Sequence, residues 1–224
     1  MGQKVHPISF RLGITENWRS RWYSRKKGFG ALLVADKRLR DFIKANYAFA
    51  LISRVEIERT REEVRVTLFC GRPGVIIGRK GSEVDRLRAR LEEIVKQKVD
   101  INIVEIHHPE MDAQLVAEGI AEQLCKRASF KRTVRKAAET TLDAGAKGVR
   151  IRIAGRLGGA EMSRREMISL GSIPLHTLRA KIDYGFAEAL TVMGKIGVKV
   201  WIHLEPVVEE PQKETAHAAD AQAG

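Results

Sequence analysis

Gly78-Arg79-Lys80-Gly81 places two cations between two glycines. Such a loop suits the capture of an anion. Glycine lets one backbone approach another with no Cβ in the way, and the cations add formal charge at the tip. The amphipathic stretch that follows, "SEVDRLRARL", predicts a helix whose free N–H groups would face the same anion. A nucleotide-binding loop needs G-x-x-x-x-G-K-[ST], and no window fits, because in "GRKGS" the lysine precedes the glycine. The dinucleotide fingerprint G-x-G-x-x-G is absent too. A nucleic-acid backbone is therefore the favoured anion, with a tight helix–helix turn and solvated cations as the plain alternative. G-x-x-G by itself decides nothing, since it also occurs at 71–74, 155–158 and 194–197. Only at 78–81 does a short apolar turn precede it and a longer amphipathic helix follow.

A second cluster is "KRASFKRTVRKAA" (126–138), where Lys126, Arg127, Lys131, Arg132, Arg135 and Lys136 meet no acid up to residue 136. On a helix, Lys131, Arg135, Arg132 and Lys136 span an arc of about 140° at 100° per residue. Phe130, Val134, Ala138 and Thr141 lie on the opposing stripe. Like charges on one arc repel, and no acid at i±4 is expected to relieve them. A polyanionic partner explains the arrangement, and a solvated basic face is the alternative.

Charge favours a polyanion throughout. The 224 residues carry 40 Lys+Arg against 28 Asp+Glu, a net charge of +12. Residues 1–30 hold seven cations against Glu16. Residues 205–224 hold five acids against Lys213 and read as a disordered acidic tail (206–224), so residues 1–204 stand at +16. The apolar runs are too short to span a bilayer. An anionic membrane surface is the competing polyanion, and no membrane partner is expected. His107, His108 and Glu110 lack a second ligand cluster, so no metal and no cofactor is expected. Cys70 and Cys125 fall in apolar-patterned segments and read as two buried free thiols.

These residues need a scaffold of two domains, each of roughly 90–100 residues. Residues 1–27 alternate cations with Phe10, Trp18, Trp22 and Tyr23 and read as an extended basic arm, whose aromatics suit either RNA stacking or docking on the protein itself. Periodicity then predicts a helix at 35–46, a hairpin of strands 54–58 and 64–70, the glycine loop, a helix at 82–95 and a strand at 99–106. That is an α+β unit with helices on a three-stranded sheet, assigned to residues 28–107. Pro109 marks the boundary. Residues 112–205 predict helices at 112–127 and 129–144 on a four-stranded, mostly antiparallel sheet of strands 149–154, 162–170, 182–192 and 196–204. Arg150 and Arg152 fall on the strand face away from Val149, Ile151 and Ile153, open to RNA or to a neighbouring protein.

The first unit resembles a type II KH domain, whose GXXG loop clamps about four nucleotides. Four phrases extend the resemblance: "MGQKVHPISFRLG", "RPGVIIGRKG", "GAKGVRIRIAGRLGGAE" and "IPLHTLRAKIDYG". In this order, over about residues 1–204, they are similar to the family of bacterial-type small-subunit ribosomal protein three. The resemblance implies a cytoplasmic, non-enzymatic structural protein in the head of the small ribosomal subunit. Its partners would be small-subunit ribosomal RNA, messenger RNA and the neighbouring ribosomal proteins ten and fourteen, near four and five, with no small-molecule substrate. It further implies that Lys131, Arg132 and Arg135, extended here to Arg127 and Lys136, face incoming messenger RNA. Gly78, Arg79, Lys80 and Gly81 match the KH loop. Lys4, Arg11, Trp22, Arg150, Arg152, Arg156, Arg164 and Arg179 are the further candidates for ribosomal RNA contact. Two departures stand out: the acidic tail, and Ser172 where the family often has arginine. A free-standing KH protein would leave the second domain unexplained. A nuclease or lyase would need a metal cluster, a carboxylate constellation or a perturbed lysine. The acid pairs Glu62-Glu63, Glu92-Glu93 and Glu209-Glu210 sit in turn, exposed-helix and tail contexts.

Overall fold

The computed structural model describes residues 4–205, apart from the side chains of Lys26, Lys27 and Lys80. The expected acidic tail lies outside the described residues.

Two α+β layers follow one another. The arm is not simply extended: it forms a short helix, α1 (Pro7–Arg11), and a two-residue strand, β1 (Ser20–Arg21). Helix α2 (Lys26–Asn46) starts nine residues earlier than its apolar spacing predicts, because Phe29, Leu33 and Val34 are exposed and only its second half, through Leu39 and Ile43, is pinned in the core. Strands β2 (Ile52–Arg59) and β3 (Glu63–Cys70) form the expected antiparallel hairpin, and β4 (Lys98–Glu105) joins β3 in parallel. The sheet has four strands rather than three, since β1 adds in parallel to β2 with Ser20 opposite Ile57. Between β3 and β4 lie α3 (Pro73–Ile77), the glycine loop and α4 (Ser82–Val95). Val64, Val66, Leu68, Leu87 and Leu91 are buried between sheet and helices.

The second layer sets α5 (Ala113–Cys125) and α6 (Phe130–Asp143) on a sheet of β5 (Gly148–Gly155), β6 (Arg164–Gly171), β7 (Lys181–Thr191) and β8 (Gly194–Leu204). The order is β6-β5-β8-β7, and all three pairings are antiparallel. Val149, Ile151, Val198, Val200 and Ile202 pack against Ile120, Leu124, Val134 and Ala138. Cys70 is buried as expected, but Cys125 is exposed at the end of α5, where its thiol sits 3.4 Å from the Leu190 carbonyl.

Asp112 couples the layers. Its Oδ1 accepts from the Gln114 and Leu115 amides, capping α5, and its Oδ2 accepts from the Ser53 hydroxyl on β2. Asp183 on β7 accepts from the Ala113 amide at 2.7 Å. Beside it, a Cβ on Gly185 would collide with the Ala113 carbonyl, so only glycine lets α5 sit this close to β7.

The arm straps both layers. Arg11 is fully buried and donates to the carbonyls of Ala180 (2.7 Å), Thr177 (2.9 Å), Pro7 (3.1 Å) and Leu175 (3.3 Å). Every guanidinium nitrogen is thus engaged within the chain, mostly by the loop between β6 and β7, which leaves the expected RNA contact of Arg11 without support from its geometry. Farther along, the Trp22 indole N–H donates to the buried Asp36 carboxylate at 2.8 Å. Asp36 also takes Arg59 through Nε and Nη2 at 2.8 and 2.6 Å, both side chains being buried.

Candidate nucleic-acid interface

At the glycine loop, Gly78 adopts φ 66° and ψ −169°, and a Cβ there would come within 2.6 Å of Glu83 Cγ. Gly81 stands at φ 82° as the residue entering α4, and no side chain among the described residues caps that helix start. Both glycines thus occupy backbone conformations that side chains avoid. The uncapped amides of α4 keep their hydrogen-bonding capacity for an external acceptor. Arg79 is exposed at the tip. Glu83 in the first turn pairs with Arg86 at 3.0 Å, which offsets its charge near the loop.

The second site is the outer face of α6. Lys131, Arg132, Arg135 and Lys136 are all exposed, while Val134 and Ala138 face the core. They line an open groove of about 620 Å³ together with Ser129, Glu139, Glu166 and Ile168. The expectation that no acid relieves the cations fails at one point: Glu139, one turn after Arg135, approaches its Nε at 3.9 Å. Glu139 was visible at i+4, whereas Glu166 joins the groove through β6 and has no local signal. Arg127 is not on the helix. It is exposed in the link from α5 at φ 61°.

Among the described residues no side chain caps the start of α6, and its first turn holds no acid, yet Lys131 and Arg132 stand there. Cations at the positive end of a helix dipole cost about 0.3–1 kcal/mol each at the surface. The arrangement opposes the helix's own stability and concentrates positive potential at the mouth of the groove.

The other candidates scatter. Lys4 and Arg179 are exposed. Trp22 is half-buried against Asp36 and against Phe29, with ring centroids 5.2 Å apart. Arg150 and Arg152 are half-buried on the sheet face away from the helices, Arg150 Nε lying 3.2 Å from Met167 Sδ. Arg156 is turned onto its own chain, donating to the Ala160 and Met193 carbonyls at 2.8 and 3.2 Å. Arg164 lies over the Phe130 ring at 5.2 Å, beside the α6 groove. Among the described residues, no group of three or more His, Cys, Asp or Glu side chains is placed to hold a metal ion.

A GXXG loop opening an uncapped helix on a β-α-α-β unit, followed by a second sheet layer with a cationic helix, defines a two-domain protein of the KH type. Residues 38–111 match the KH domain family, and residues 120–202 match the family described as "Ribosomal protein S3, C-terminal domain". The chain is 56% identical to the small ribosomal subunit protein uS3 of Rhodopirellula baltica, over 91% of this chain and 88% of that protein. It is 52% identical to the uS3 of Desulforudis audaxviator, over 94% and 96%. For the uS3 of Alkalilimnicola ehrlichii the identity is 46%, over 100% and 99%. The chain belongs to the small ribosomal subunit protein uS3 family.

Proposed function

We propose that the chain acts as a structural, non-enzymatic component of the small ribosomal subunit that binds ribosomal RNA, and that the α6 groove grips the backbone of messenger RNA as it enters. The observation that carries the second part is the placement of Lys131, Arg132, Arg135 and Lys136 on one exposed arc at the uncapped end of α6. Messenger must pass without regard to sequence. Phosphate contacts meet that need, because they fix position and carry no base information. Arginine forks and lysine point charges both suit phosphate, and each contact releases counterions. The glycine loop supplies a separate grip, in which the amides of α4 and the exposed Arg79 approach a sugar–phosphate track. Neighbouring ribosomal proteins ten and fourteen are the proposed protein partners.

The test is to neutralise Lys131, Arg132 and Arg135 together in reconstituted small subunits. Translation is expected to slow more through a messenger hairpin than through an unstructured messenger. Equal slowing on both templates would refute the messenger role. In the purified chain, the same substitution is expected to reduce the salt slope of RNA binding by about 2–3, at ~0.9 or less for each phosphate no longer neutralised.

A further inference from the structure

On the second sheet, the face opposite α5 and α6 carries its side chains in rows set by the strand register. Tyr184 of β7 lies opposite Trp201 of β8, which lies opposite Arg150 of β5. Two residues on, Phe186 lies opposite Lys199, which lies opposite Arg152. The intervening Gly185, Val200 and Ile151 are buried, so the named six point outward. Aromatic residues thus occupy the β7 side of this face and cations the β5 side.

At the β7 edge of this face the arm closes a groove of about 360 Å³, lined by Tyr184 and Phe186, by His6, Trp18 and Arg19 of the arm, and by Gln114 of α5. That volume falls at the small end of ligand sites. Among the described residues, no carboxylate lines the groove. Of the acids on the outward rows, Glu188 is paired with Lys195 at 2.9 Å. His6 meets Tyr184 edge-on with centroids 4.7 Å apart, and Tyr184 meets Trp201 at 5.4 Å, a continuous aromatic row. Trp18 is 64% exposed and Phe186 43% exposed, so both side chains keep solvent-accessible surface at the groove, with Lys199 Nζ 6.0 Å from the Phe186 ring centroid. Burial first, and then the charges of Arg19 and Lys199, hold the His6 imidazole below its ordinary pKa. The groove is therefore a region of positive potential lined by uncharged rings.

We propose that this face is a stacking platform for single-stranded RNA, with unpaired bases lying against Trp18 and Phe186 and the connecting phosphates running past Arg19, Lys199 and Arg152. The proposal rests on the RNA-binding reading and deepens it, assigning recognition of bases where the α6 groove and the glycine loop would hold backbone. The charge of the face favours RNA over a protein partner. A strand offers both a ring for each open aromatic and an anion for each cation, which is how sheet faces and aromatic grooves take single strands.

The experiment measures binding of a uridine decamer and of a duplex of equal length to the full chain. Trp18→Ala and Phe186→Ala are each expected to weaken decamer binding roughly tenfold, the loss of one base stack. Duplex binding and the salt slope should stay unchanged, because stacking releases no counterions. Trp18→Phe and Phe186→Tyr keep a ring and should retain the affinity, which separates stacking from folding. Ultraviolet crosslinking of the decamer is expected to label the segments holding Trp18 or Phe186. Salt-dependent RNA binding that is indifferent to both alanine variants would overturn the platform and leave the RNA reading standing. Absence of all salt-dependent RNA binding by the unaltered chain would remove both. Unchanged RNA affinity, with neighbouring proteins missing from subunits assembled with Phe186→Ala, would assign the face to a protein partner and overturn the proposal.

Discussion

Replacing Arg11 with alanine removes the fastening of the arm to the second domain. Arg11 donates at 2.7, 2.9 and 3.1 Å to Ala180, Thr177 and Pro7, with a longer bond to Leu175 at 3.3 Å. Hydrogen bonds to a charged group contribute ~1.5–3 kcal/mol each, and a buried carbonyl left without a donor costs ~1–3 kcal/mol. Residues 176–179 are exposed, so water can reach part of that loop once the guanidinium is gone, and the arginine no longer has to be desolvated. Weighing three good bonds against those two offsets leaves about 3 kcal/mol. The cost should be local. The Trp22–Asp36 bond and the β1–β2 pairing still hold the far end of the arm on the first domain. Hydrogen exchange reads it directly, since the Phe10 amide bonds to His6 and the Thr15 and Glu16 amides bond to the Arg11 carbonyl. At ~1.4 kcal/mol per tenfold, exchange across residues 7–17 is expected to quicken on the order of a hundredfold, while β2 and β3 stay protected. Arg11→Lys keeps the charge but not the fork and should fall between. Exchange in the alanine variant within about threefold of the unaltered chain would show that the bonds do not hold the arm, and the reasoning would fail.

The Asp183 carboxyl is pushed up to about 6, first by burial and then by the nearby Asp112 charge, against the pull of Arg19 and of the Ala113 and Tyr184 amides. Its native value lies above the ordinary carboxyl value, so the native state holds more protons than the unfolded chain between the two. The stability it contributes is complete below about pH 4 and is lost as pH rises through about 6, on the order of 2–3 kcal/mol. Urea unfolding at acid and neutral pH should show this slope in the unaltered chain and not in Asp183→Asn. An identical slope in both would refute the assignment. Gly185→Ala meets backbone rather than a flexible side chain, so it is expected to cost about 3 kcal/mol or more, read as a fall in the thermal midpoint. Gly78→Ala is expected to cost ~1–3 kcal/mol and to weaken RNA binding at the loop, because its backbone region is essentially reserved for glycine.

Much of this was legible because it is local. The stripe through Val134, Ala138 and Thr141 and the cationic arc through Lys131, Arg132, Arg135 and Lys136 follow from helical period, and both faces stand as the period sets them. The hairpins follow from alternation: Thr60 and Glu63 close the first, and Gly194 pairs with Thr191 in the second. The helical start of α2 was not legible, because Gly28 and Gly30 interrupt it and its apolar residues face solvent rather than a core.

The sequence by itself determined the kinds of element, the two amphipathic faces and the glycine loop, since each depends on residues within a few positions of one another. Tertiary structure alone decided which cations are available. Arg11 and Arg59 look no different in sequence from Arg132 or Arg179, yet the first finds the Ala180, Leu175 and Thr177 carbonyls more than 160 residues away and the second finds Asp36 on helix α2. It also placed Glu166 in the α6 groove, exposed Cys125, and added β1 to the first sheet. A charged side chain carries no local mark of burial. Its fate depends on whether distant backbone supplies enough acceptors to replace water, and that is settled only when the chain closes on itself.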